Sequence, residues 1–182
     1  MNTLETSHRT YARVAGFTFL FYIVAGITSM ALGSQSQVKD LLLLLQSFSA
    51  LVLGVTLFAL TYKQGFALAT LALTFRVIEA VQYGESAIYF AVASLLFSWL
   101  LLRGRMIPAA LAWLGVVASA LLVVILPLQL AGLFGGSMSW SSSITWLVWL
   151  PMLVFEVTFA LWLLVKGVAL PAADKAVPSR AG

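Results

Sequence analysis

Cysteine is absent from this chain of 182 residues, and histidine occurs once, at His8. These two gaps remove whole classes of chemistry. Without thiols there is no disulfide framework, no thiol relay and no cysteine-held cluster. One histidine cannot supply both axial ligands of a buried haem, nor a zinc site built from His and Cys. No metal and no cofactor is therefore expected. Charge is scarce too. Asp, Glu, Lys and Arg together make 9% of the chain, against about 25% in soluble domains. So few charges cannot cover a water-facing surface, but they suffice for one that faces lipid.

What the chain does have is apolar length. Hydrophobic residues make 62% of it, and the mean hydropathy is +1.05. They stand in uninterrupted runs and not in periodic stripes: residues 14–32, 41–62, 65–83, 86–102, 109–130 and 146–165. Each run approaches the ~20 residues that cross ~30 Å of hydrocarbon at 1.5 Å per residue. Strands of a membrane barrel would alternate instead, over ~10 residues. The expected fold class is all-α: a polytopic transmembrane bundle of six helices in a single domain, residues 1–168. A disordered tail is expected over 169–182, where Pro171, Pro178 and small residues fall. The first run follows Arg9 and Arg13 and ends on Ser29-Met30-Ala31, which is also the outline of a signal peptide. It exceeds the usual 7–15-residue apolar core of such peptides, so a retained helix is preferred.

Orientation follows from the basic residues. Six spans place both ends on one side, and with them Arg9, Arg13, Lys63, Arg103, Arg105, Lys166, Lys175 and Arg180. The other side holds Lys39 alone, and Arg76 lies within a span. The positive-inside bias then makes both termini cytoplasmic. The same bias explains the net charge of +4. No Lys/Arg cluster occupies a polar segment, so no nucleic-acid partner is expected. The lipid bilayer is the partner the composition implies. Tryptophans agree with this frame, with Trp99, Trp113 and Trp162 near the inner ends and Trp140, Trp146 and Trp149 near the outer ends, as aromatic belts would place them.

Four stretches resemble a known family. The first is the opening Arg9-Thr10-Tyr11-Ala12-Arg13-Val14-Ala15-Gly16, and the second is Phe75-Arg76-Val77-Ile78-Glu79-Ala80. The third is Leu101-Leu102-Arg103-Gly104-Arg105-Met106-Ile107-Pro108, running into Leu111-Ala112-Trp113-Leu114-Gly115. The fourth is Glu156 followed by Ala160-Leu161-Trp162-Leu163-Leu164-Val165-Lys166-Gly167. Their order and reach are similar to the bacterial integral membrane proteins grouped as domain-of-unknown-function family 4386. The resemblance implies six spans in the bacterial inner membrane. It implies no activity.

The residues that carry chemistry are those a bilayer tolerates only for a reason. Arg76 and Glu79 lie in the third run, three apart and so on one helical face, with Gln82 continuing it. Glu156 lies in the sixth run and Gln46 in the second. Arg76 falls roughly 16 Å and Glu79 roughly 21 Å along a helix starting at residue 65. Glu156 and Gln46 fall roughly 15 Å and 9 Å below the outer ends of their helices. All four belong to the outer half of a ~30 Å core. One polar cluster is expected there, with Arg76 in reach of Glu79, Glu156 or both, and Gln46 and Gln82 at its edge. One arginine cannot neutralise two carboxylates, so either Arg76 bridges both or one carboxyl keeps its proton. Such a cluster serves as a ligand or proton site, or as a structural tie between helices.

Pro127 and Pro151 each free a backbone carbonyl, of Val123 and Leu147, which either lines a cavity or accompanies a harmless kink. The pairs Ala12/Gly16, Ala25/Ser29 and Gly115/Ser119 permit close helix approach. The longest break, residues 131–145, is rich in Gly and Ser and is expected to be the most mobile connection.

Two functions compete. One is a small-molecule or proton-coupled carrier using Arg76, Glu79 and Glu156, with a small-molecule ligand as its partner. The other is a non-catalytic membrane module: a sensor, a partner subunit or an immunity-like protein. An enzyme is less favoured, because only the two carboxylates suggest one. No internal repeat of the kind transporters show is evident.

Overall fold

The computed structural model describes residues 3–32, 36–82, 86–133 and 143–169. Among them the chain is wholly helical, with no strand. Six α-helices run in order: α1 Thr3–Ala31, α2 Gln37–Thr61, α3 Phe66–Val81, α4 Ser86–Arg103, α5 Ala109–Leu130 and α6 Ser143–Val165. Five of them, all but α3, are long and apolar enough to cross a membrane. The composition thus has the structural counterpart it requires: this is a multi-pass membrane protein.

Helix boundaries follow local chemistry. No Gly or Pro precedes Gly16, so α1 begins at Thr3, eleven residues before the apolar run, and carries Arg9 and Arg13 on helix. At ~43 Å it exceeds the hydrocarbon thickness. Pro108 stands just before α5 and sets its start. Gly167, at φ +74°, ends α6 in the left-handed conformation, and its amide bonds to the Trp162 carbonyl at 3.1 Å. The following strap returns to the α4–α5 turn, where the Ala169 amide donates to the Met106 carbonyl at 2.8 Å. Pro127 and Pro151 both sit inside continuous helices.

The third helix departs from the sequence expectation. A full span was expected over residues 65–83, but α3 has 16 residues, about 24 Å, and the chain leaves it at Gln82 in an extended conformation. Its buried residues are Ala69, Ala72, Arg76 and Glu79, spaced 3, 4 and 3 apart. That spacing is a single helical face, with two small residues at one end and two ionisable ones at the other.

Each helix packs against its sequence neighbours, and α6 closes against α1, so the six form a ring around one apolar core. The closure depends on small residues. A Cβ on Gly16 would stand 2.8 Å from the Ala160 carbonyl oxygen, so only glycine lets α1 lie this close to α6. Ala12, also fully buried, lies over Gly167 one turn earlier, and Phe19 meets Phe159 edge-on at 5.7 Å one turn later. Gly115 does the same between α5 and α6, where a Cβ would strike the Phe155 ring at 2.6 Å. Small-residue packing of this kind replaces the hydrophobic drive that lipid cannot supply.

Two expectations fall largely outside the described residues: the mobility of the 131–145 connection, most of which is residues 134–142, and the disorder of the tail, of which only Ala169 is described. Trp99, Trp113 and Trp146 are exposed, but Trp149 and Trp162 are half-buried against the core, because ring contacts inside the bundle are open to them. Trp140 is outside the described residues.

Candidate functional site

The end of the bundle where α1 finishes and α2 begins is called distal below. Toward that end, α3 presents Arg76 and Glu79 to the interior. Arg76 is fully buried, and Gly54 on α2 makes room for it: a Cβ there would lie 2.9 Å from the Arg76 Cβ. Its Nη1 donates to Glu79 Oε2 at 2.9 Å, and its Nη2 donates to Ser94 Oγ on α4 at 3.2 Å. The guanidinium carbon lies over the Phe90 ring, 4.9 Å from its centroid. Only Nε lacks a hydrogen-bond partner. The other Glu79 oxygen accepts from the Tyr22 hydroxyl on α1 at 2.8 Å. Glu79 is therefore held at both oxygens, by α3 and by α1.

Glu156 is placed differently. It is 6% exposed, on the inner face of α6. Its Oε1 is buried and has no hydrogen-bond partner. Among the described residues Arg76 makes its ion pair with Glu79 and not with Glu156. The one arginine does not bridge both carboxylates. Arg76 thus balances one carboxylate, and Glu156 has no ion-pair partner among the described residues, in a region where uncompensated charge is expensive.

The Glu156 side chain borders open space. A cavity of about 260 Å³ lies among α1, α3, α4 and α6, with Glu156, Glu79, Tyr22 and Gln46 on its wall. A second cavity, of about 300 Å³, lies toward α2 and takes in Gln46, Gln82, Glu79 and Tyr22. Gln46 thus belongs to both, and Gln82, itself exposed, belongs to the second. Phe90 stacks on Tyr22 at 6.3 Å and on Trp149 at 5.7 Å, which gives the first cavity an aromatic side.

All five residues singled out from the sequence gather at this end of the bundle. Four others were missed: Tyr22, Ser94, Phe90 and Trp149. Tyr22 had a signal, being a phenol well inside an apolar run, away from either boundary where tyrosine belongs. Ser94 and Phe90 had none, since small hydroxyls and aromatic rings are common in any membrane helix.

The geometry describes a multi-pass membrane bundle with a partly charged internal cavity. Residues 82–167, covering α4 to α6, match the model of the family described as Domain of unknown function (DUF4386). No curated protein and no solved structure matches the chain.

Proposed function

We propose that this protein binds a small molecule inside its membrane domain and acts as a carrier, with Glu156 as the anchor of the site. The observation behind this is the pairing pattern. Arg76 and Glu79 are satisfied by each other, by Tyr22 and by Ser94, and so form a fixed wall. Glu156 is as buried as Glu79, yet its Oε1 has no partner and the side chain borders a cavity of about 260 Å³. A buried carboxyl without a partner costs stability unless something fills the role, whether a proton or a ligand. In this reading both termini lie in the cytoplasm of a bacterial cell, the protein sits in the inner membrane, and the cavities belong to the outer half.

The test is thermal stability of the purified protein against a panel of lipids and metabolites. A ligand at 100 times its Kd stabilises by about 2.7 kcal/mol. The expected outcome is a stabilising ligand whose effect disappears in Glu156→Gln while the empty variant stays folded. The competing reading, a non-catalytic module, draws on the same ion pair as a tie between α1, α3 and α4. It wins if nothing in the panel stabilises the protein and Glu156→Gln changes stability or partner binding only.

A further inference from the structure

The cavity beside Glu156 is open to more than its anchor. α1 and α6 are in close contact at Gly16 and Phe19, where Ala160 and Phe159 meet them. Two to three turns further along α1, the same pair of helices forms opposite sides of the cavity. Ile27 and Met30 line it from α1, and Trp146 and Leu150 from α6. All four are at least half exposed, so the cavity reaches the surface of the bundle between these two helices. That surface is the one that faces lipid in this reading, and these four residues carry no charge.

We propose that the cavity admits an amphiphilic amine sideways from the membrane, between the distal ends of α1 and α6, and seats its ammonium group on Glu156. Three independent features meet in this assignment. Glu156 has no cationic partner among the described residues and its side chain borders the cavity; a protonated amine supplies charge and donor with a single N–H. The wall beside the carboxyl is aromatic: Tyr22 and Trp149 line it, each stacked on Phe90, and rings of this kind attract cations. The entrance is apolar, which suits the alkyl or aryl tail and repels a fully hydrated ion. A divalent metal fits poorly, because two carboxylates on an apolar wall fall short of the six to eight oxygens such ions take. At about 260 Å³ the space is small for a drug-sized ligand and suits a compact head with a short tail. A lipid with an ethanolamine head and a free lipophilic amine present this same chemistry.

This rests on the cavity being a binding site, and the experiment separates the two. The full-length protein is placed in phosphatidylcholine nanodiscs, and binding of tritiated 4-phenylbutylamine is compared with that of 4-phenylbutanol, which has the same shape and no charge. The amine should bind at least tenfold more tightly, and Glu156→Gln should bring it down to the level of the alcohol. Ile27→Trp, a change at an exposed rim position, should slow amine association at least fivefold. Adding phosphatidylethanolamine to the nanodisc separates the sources: competition identifies the lipid head, and no competition identifies a free amine. Equal binding of amine and alcohol, or unchanged amine binding in Glu156→Gln, overturns the ammonium assignment and leaves the cavity a binding site. An unchanged association rate in Ile27→Trp overturns the lateral route. If neither compound binds, the proposal fails; if the ligand panel is silent as well, so does the reading of the cavity as a site.

Discussion

Two isosteric changes, Glu79→Gln and Glu156→Gln, should differ sharply in their effect on the folded protein. Each removes one carboxylate and keeps the side chain's shape. Glu79 accepts from Arg76 at 2.9 Å and from Tyr22 at 2.8 Å. A glutamine there keeps one acceptor and turns a donor toward a group that also donates. It also leaves a fully buried guanidinium without its counter-ion. Breaking a buried pair from one side costs about 3–5 kcal/mol, and hydrogen bonds to charged groups are individually worth about 1.5–3 kcal/mol. In a chain of this size that corresponds to a fall in Tm of roughly 6–20 °C, at 2–4 °C per kcal/mol. Glu156 has no such bonds to lose at Oε1. In the empty protein its replacement breaks no ion pair, so stability should stay within about 1 kcal/mol of wild type or rise. Thermal unfolding of both variants in one detergent, without added ligand, measures the difference. The reasoning is refuted if Glu79→Gln unfolds within about 1 kcal/mol of wild type, or if Glu156→Gln is the more damaging of the two.

Tyr22→Phe removes one bond to Glu79 and nothing else, so unfolding should show a loss of about 1.5–3 kcal/mol, smaller than for Glu79→Gln. Replacing the pair together, Arg76→Met with Glu79→Leu, should be more stable than either single change by at least ~2 kcal/mol, since no lone charge is left between the two; a double variant as unstable as the worse single would count against a structural role for the pair. Gly16→Val puts a side chain where a Cβ would lie 2.8 Å from backbone, so α1 must move from α6 at a cost of about 1–3 kcal/mol, whereas Gly132→Ala meets no neighbour among the described residues and should lose less. Reporter fusions after Arg180 and within residues 137–143 should report opposite sides of the membrane, with the C-terminal fusion in the cytoplasm; an external C-terminus would reverse the orientation proposed above.

Much of this protein is determined locally and is legible without a fold. Membrane residence follows from charge scarcity and run length, since no water-facing arrangement covers so much apolar surface. The ends of α5 coincide with residues 109–130, because Pro108 opens the helix and the apolar run closes it. The face shared by Arg76 and Glu79 follows from helical spacing alone, and Ala12 and Gly16 already marked the stripe that meets α6. Other features belong to the tertiary structure. Nothing in the run over 65–83 shows that α3 stops at Val81, because helix ends at Gln82 depend on what surrounds the chain and not on its hydropathy. The closure of α6 on α1 joins residues about 140 positions apart, which no local pattern encodes. That closure brings Tyr22 to Glu79 and sets Glu156 beside a cavity. Which carboxylate Arg76 would choose was open in the sequence, since spacing puts Glu79 on its face but says nothing of where Glu156 on α6 lies relative to it. Only the packing of α1 and α4 around α3, with Tyr22 and Ser94 completing the shell, gives Arg76 to Glu79 and leaves Glu156 facing open space.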